Sequence, residues 1–257
     1  GAEVCYSGSL KKFSECKEVC DPKFQYDSSN CTGDKVLTGS SCGGKYEKCI
    51  EPLQYLYSDR TLSAEIIPGK SVIGIAVDPE NRLAVAIDYI MTTGWGGYGI
   101  DIPTLENTPS SGAGIYVRGE RDSYLIRDGK ANTAKILAYG RSNGISYPAA
   151  EAAYNYQPGS CSSSSWCGRG NWYLPSNWQV FPYFDNRATI HLMLKAINKM
   201  PDDWWYTRND FYTVTSNEIN AQESGFIYIN TGGMAHGGKN LTEPDNLQTL
   251  VLPYITY

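Results

Sequence analysis

Residues Gly170 to Ser176, read GNWYLPS, constrain this chain more than any other stretch. Two aromatics and a leucine make a short extended run. Pro175 follows, and a proline pushes the residue before it towards extended geometry. Ser176 comes next, and a serine hydroxyl there can accept a free amide of a helix's first turn. The stretch therefore ends an extended segment and launches a helix. Trp178, Val180, Phe181 and Phe184 predict that helix. Ala188 to Met200 predicts another, with Ile190, Met193, Leu194 and Ile197 at helical spacing. On the other side, Cys161 and Cys167 bracket a serine-rich loop, where a disulfide is expected.

Compartment follows from the cysteines. The chain of 257 residues carries eight, and six of them fall within the first 49 residues. An even, tightly clustered set points to disulfides and an oxidising environment. Zinc is the alternative for Cys16 and Cys20, but no Cys-x2-Cys pair is present, and His191 and His236 are remote in sequence. Hydrophobic residues make up 41% and charged residues 19%, enough for a packed core. The formal net charge of −5 and the lack of a basic run argue against a nucleic-acid partner. The longest apolar runs are strand-sized, so no membrane span is expected. A secreted or cell-surface protein, with a leader already removed, fits these features.

Residues 1–52 read as a cysteine-rich module in which covalent staples replace a core. The sequence does not choose among the pairings of its six cysteines. Residues 53–67 read as a connecting segment. Ser71 to Asp78 and Leu83 to Ile90 form the best hairpin, joined by Pro79-Glu80-Asn81-Arg82. Both runs are almost wholly apolar, which predicts central strands. Asp128-Gly129-Lys130 reads as a turn, and Pro148 to Tyr156 as a short helix with a proline in its first turn. Strands are expected at Gly114 to Arg118, Phe211 to Val214 and Gly225 to Asn230. Thr231 to Asn240 reads as a glycine-rich tip. The terminal LQTLVLPYITY is an apolar strand interrupted by Pro253, which marks an edge or a bulge.

A buried hairpin, two helical regions, a long loop region and a terminal strand are most simply satisfied if the last strand returns to the first hairpin. That is an α+β, C-type-lectin-like arrangement over residues 68–257. The segments GKSVIGIAVDPENRLAVAIDYI, GRGNWYLPSNWQVF, TVTSNEINAQ and VLPYITY, in that order, resemble the motifs of the Lcl C-terminal domain family of bacterial surface proteins. The resemblance implies the same lectin-like fold. It places Trp172, Leu174, Pro175, Ser176 and Glu218 in the family's motifs; by their residue types they are expected to be structural, with Glu218 satisfying backbone amides. Two departures stand out: Tyr212-Thr213 replaces the family's Trp-Ser, and Leu252 replaces its Arg.

Enzyme chemistry finds little support. There is no Gly-x-Ser-x-Gly, phosphate-cradling glycine loop or His-Glu-x-x-His. Formylglycine-generating relatives of the fold need late cysteines, and none follows Cys167. Asp202, Asp203 and Glu218 are the weak candidates for a glycosidase carboxylate pair. Glu243, Asp245 and Asn246 resemble half of the calcium-binding set of sugar-binding C-type lectins, but the companion Trp-Asn-Asp is absent. No cofactor is expected. The expected function is therefore non-enzymatic: adhesin-like binding of a glycan or of a host or surface protein. In the lectin-like fold the ligand face is the long loop region, which here offers Trp204, Trp205, Tyr206, Arg208, Tyr212, His236 and Lys239. The alternative is a structural subunit of a surface appendage or envelope assembly, with homo-oligomerisation.

Overall fold

A computed structural model of the chain describes residues 36–41, 46–50, 53–108, 115–116, 128–199, 212–228, 234–240 and 249–257; for 36–41, 46–50, 115–116, 228 and 234 it describes the backbone only. The chain divides into two compact units, residues 1–53 and 54–257. In the first, β1 (Val36–Ser41) and β2 (Tyr46–Ile50) pair antiparallel. The side chains of the six N-terminal cysteines lie outside the described residues.

The second unit is mixed α+β, with two sheets and four α-helices among the described residues. Its five-stranded sheet holds β3 (Gln54–Tyr57), β4 (Leu62–Ser63), β5 (Val72–Asp78), β6 (Leu83–Ala86) and β13 (Tyr254–Thr256), in the order β13-β6-β5-β3-β4. The apolar hairpin β5–β6 is central, as its composition requires, because both of its faces must be covered. The segment read as a connector, residues 53–67, holds two strands, β3 and β4. Tyr55, Leu56 and Tyr57 are buried on β3, which pairs with both β4 and β5. Two tyrosine hydroxyls anchor the segment. That of Tyr55 donates to the Met193 carbonyl at 3.1 Å, and that of Tyr57 accepts from the Ile67 amide at 2.8 Å. Aromatic residues favour such pleated, covered surfaces.

The six-stranded sheet holds β7 (Ile90–Thr92), β8 (Ile115–Tyr116), β9 (Tyr212–Glu218), β10 (Glu223–Tyr228), β11 (Met234–Gly238) and β12 (Thr249–Val251). Its order is β7-β12-β9-β10-β11-β8, and only the β12–β9 pairing among these is parallel. Within the stretch read as a glycine-rich tip, Met234–Gly238 form a strand, β11, paired along its length with β10 and at Met234 and Ala235 with β8.

The C-terminal run divides at Pro253. β12 belongs to the six-stranded sheet, and β13 pairs antiparallel with β6 of the other. Proline cannot donate to a ladder, so it sits where the chain leaves one sheet for the next. Its carbonyl still accepts from the Ala86 amide at 2.8 Å. The last strand does return to the first hairpin.

Helices α1 (Gly129–Asn143), α2 (Pro148–Asn155), α3 (Asn177–Asp185) and α4 (Arg187–Ala196) complete the unit. α1 begins where a turn was expected. The Asp128 carboxylate caps it, accepting from the Ala131 amide at 2.9 Å. α1 and α2 pack with the six-stranded sheet, and α3 touches β5 as well as β9 and β10. Two apolar clusters result. One joins Trp95, Ile136, Ala149, Leu174, Val214 and Val251. The other joins Leu56, Ile73, Cys161, Cys167, Trp172 and Ile255.

Candidate functional site

The stretch 170–176 threads these two clusters. Trp172 packs in one and Leu174 in the other. Between them Tyr173 bridges to Tyr254, each amide donating to the other's carbonyl at 2.9 Å. Tyr173 is itself 2% exposed, so all three side chains are core groups. The Trp172 indole donates to the Cys167 carbonyl at 2.8 Å, beneath a Cys161–Cys167 disulfide that is formed. Ser176 caps α3 as its identity predicts. It makes a capping box, with its hydroxyl accepting from the Gln179 amide and the Gln179 side chain accepting from the Ser176 amide.

Beyond Ser176 the stretch docks on β9. The Ser216 amide donates to the Pro175 carbonyl at 2.8 Å, and the Asn177 amide to Asn217 Oδ1 at 2.8 Å. The Thr215 hydroxyl donates to Asn177 Oδ1 at 2.5 Å, and Asn217 Nδ2 to Thr108 Oγ1 at 2.8 Å. Every residue of β9 is buried, although five of its seven side chains are polar besides Tyr212 and Val214. Buried polar groups need partners, and the network supplies them for Thr215, Ser216 and Asn217, while Thr213 Oγ1 has none among the described residues. The network also leaves no room beside Gly225, where a Cβ would sit 2.8 Å from Asn177 Oδ1 and Thr215 Oγ1.

At the end of β9 the network becomes ionic. Glu218 and Lys239 have fully buried side chains, and Lys239 Nζ donates to Glu218 Oε1. Nζ also donates to the Ile100 carbonyl at 2.6 Å, and Glu218 Oε2 accepts from the Ile102 amide at 3.1 Å. The Trp95 ring lies 5.0 Å from Nζ, a cation–π distance. Burial pushes the Glu218 carboxyl up and the Lys239 amine down, opposed in each case by the partner's charge and hydrogen bond.

The pair is closed over by residues 94–108. The amides of Trp95 and Gly96 donate to the Lys239 carbonyl at 2.9 and 3.0 Å. The Thr108 amide donates to the Glu218 carbonyl at 2.7 Å, and the Trp95 indole to the Thr215 carbonyl at 2.8 Å. Trp95 meets Tyr147 edge to face at 5.5 Å. Gly97, at φ +64°, is obligatory there, since a Cβ would lie 2.4 Å from the Tyr147 ring.

The sequence-predicted ligand residues separate. Tyr212 is 3% exposed and packs on Phe226 at 4.7 Å between ring centres. Lys239 faces inward, so neither it nor Tyr212 presents its side chain to solvent as expected of a ligand face. His236 stays partly exposed, with Nδ1 3.1 Å from Glu223 Oε1. Trp204, Trp205, Tyr206 and Arg208, and the calcium candidates Glu243, Asp245 and Asn246, lie outside the described residues. Glu218 does satisfy a backbone amide, that of Ile102, and additionally pairs with Lys239. That pairing was missed. The legible clue was a Glu and a Lys at corresponding ends of strands flanking β10, which needed β11 to be recognised.

A cleft of about 460 Å³ opens between α1 and α2, lined by Leu137, Gly140, Arg141, Tyr147, Glu151 and Tyr154 among others. Its acid has a local task, because Glu151 accepts from the Tyr147 amide at 3.0 Å and from the Ser146 hydroxyl. Among the described residues, no group of three or more His, Cys, Asp or Glu side chains is placed to hold a metal. Among them, too, no helix is long and apolar enough to cross a membrane.

No family model matches the sequence, and no curated protein matches it either. Among solved structures, a fimbrial protein from Bacteroides ovatus is similar, with a TM-score of 0.51 at 14% identity. The match covers 79% of this chain and 48% of that one, so the chain spans about half the length of its structural relative. At this identity the likeness is one of fold.

Proposed function

We propose that the chain is a non-enzymatic protein of the bacterial surface, exported from the cytosol, that serves as a structural subunit of an appendage or envelope assembly. The observation that carries this reading is the likeness in fold to a fimbrial protein over 79% of the chain. Two further features support it. The Cys161–Cys167 disulfide belongs to an oxidising compartment. The chain is also tied to itself at long range, through the two-sheet C-terminal run and the buried clasp between residues 94–108 and β9. Such ties suit a protein that must keep its fold outside the cell.

Binding of a glycan or protein ligand is the second reading. The Trp204-Trp205-Tyr206 cluster, Arg208 and the partly exposed His236 favour it. It goes with the C-type-lectin-like fold and the Lcl-like resemblance, for which the return of β13 to the first hairpin is the supporting observation.

Mechanical shearing of native cells tests the first reading. An antibody to the chain should find it in the sheared, sedimentable appendage fraction. Recovery in the cytosolic fraction would rule the proposal out.

A further inference from the structure

We infer that Lys239 and Glu218 are the two ends of an intramolecular isopeptide bond, formed between Nζ and Cδ with loss of one water. Their hydrogen-bond environment carries this. An ammonium has three donors and a carboxylate about four acceptor sites, so a buried ion pair needs many partners. Among the described residues, the backbone around this pair offers one acceptor, the Ile100 carbonyl, and one donor, the Ile102 amide. One acceptor and one donor are what a secondary amide needs.

The same two groups are placed for the reaction. A proton passes from Nζ to Glu218 Oε1 along the hydrogen bond that joins them. The neutral amine then attacks Cδ. Negative charge develops on Oε2, where the Ile102 amide already donates at 3.1 Å, as in an oxyanion site. A second proton leaves nitrogen for Oε1, the Cδ–Oε1 bond breaks and water departs. Oε2 remains as the amide carbonyl, held by Ile102. The remaining N–H stays on the Ile100 carbonyl, 2.6 Å from Nζ. No oxidant or external acid is required. Burial favours the neutral amine and the neutral acid, the reactive forms, since it moves both groups away from their charged states. The Trp95 face covers Nζ, and both side chains are wholly shielded from water that would reverse the step. Condensation also removes two buried charges at once.

This inference stands independently of the assembly proposal. Tryptic digestion of the reduced, alkylated wild-type chain tests it. Lys239 is the one tryptic site between Arg208 and the C-terminus, so an unreacted chain yields residues 209–239 and 240–257 as separate peptides. The bonded chain yields residues 209–257 as one peptide, lighter by the mass of a water, with fragments that place the loop between Glu218 and Lys239. Lys239→Arg, which keeps the charge and cannot condense, restores cleavage. Separate peptides of full mass from the wild-type chain, or an uncleaved peptide that has lost no water, would overturn the inference.

Discussion

Trp172 shows how much a single side chain can hold. Its ring is 1% exposed, meets Tyr156 edge to face at 4.8 Å and packs in one cluster with the disulfide, and its indole N–H is bonded to the Cys167 carbonyl. Trp172→Ala leaves a cavity and an unpaired buried carbonyl. The expected loss is about 3–5 kcal/mol in urea unfolding; a loss under about 1 kcal/mol would show that the ring is not a core group. Trp172, Ser176 and Glu218 were legible because their residue types match their tasks: a large apolar ring, a cap and an acceptor. Lys239 was not. Lysine is among the residues least often fully buried, and its partner lies two strands away, beyond the reach of any local pattern.

At the scale of the element, α1 is the instructive failure. Its buried face is Gly129, Asn132, Thr133, Ile136, Leu137 and Gly140, at helical spacing but mostly small or polar. Hydrophobic periodicity therefore carries little trace of it, and Asp128-Gly129 resembles a turn. Gly129 is small for a reason: a Cβ there would come within 2.4 Å of the Leu174 carbonyl oxygen. The strands β5 and β6 were legible because their burial is made by apolar side chains. The polar strand β9 is buried through hydrogen bonds, so only part of it was foreseen. The caps give direct tests. Ser176→Ala and Asp128→Ala should each cost about 1 kcal/mol in denaturant unfolding, with the fold unchanged by circular dichroism. Replacing both Cys161 and Cys167 by serine opens a short loop and should cost about 2 kcal/mol. An unchanged midpoint in either experiment would contradict the role assigned.

Across the whole molecule, buried tyrosines make stability depend on alkaline pH. Burial raises the Tyr173 phenol from 10.0 to about 12, and Tyr156 and Tyr254 are raised as well. A raised folded-state value means that the native chain keeps its proton while the unfolded chain ionises. Stability is therefore complete below pH 10 and falls as pH rises above it, the share from Tyr173 being lost by about pH 12. Tyr173 alone accounts for roughly 2–3 kcal/mol of that loss, at about 1.4 kcal/mol per unit. Unfolding midpoints measured from pH 8 to 11.5 should decline from about pH 10, and Tyr173→Phe should flatten the decline. A flat wild-type profile would show that these phenols are hydrated.

The chain passes between the two sheets twice, from β6 to β7 and again at Pro253. Pro253 ends β12 in one sheet and lets β13 begin in the other, which closes the unit at its C-terminus. The return to the first hairpin could be foreseen from the order of apolar runs. The division of the last run between sheets could not, because a proline in a strand signals an edge as readily as a crossing. A unit closed in this way, disulfide-bonded and clasped over β9, is proposed to work as one repeat of a surface assembly. Chemical crosslinking of intact native cells, followed by denaturing electrophoresis and detection of this chain, tests that claim most directly. A regular ladder of multimers containing the chain is the predicted result; a monomer band alone, at crosslinker levels that capture known surface assemblies, would contradict it.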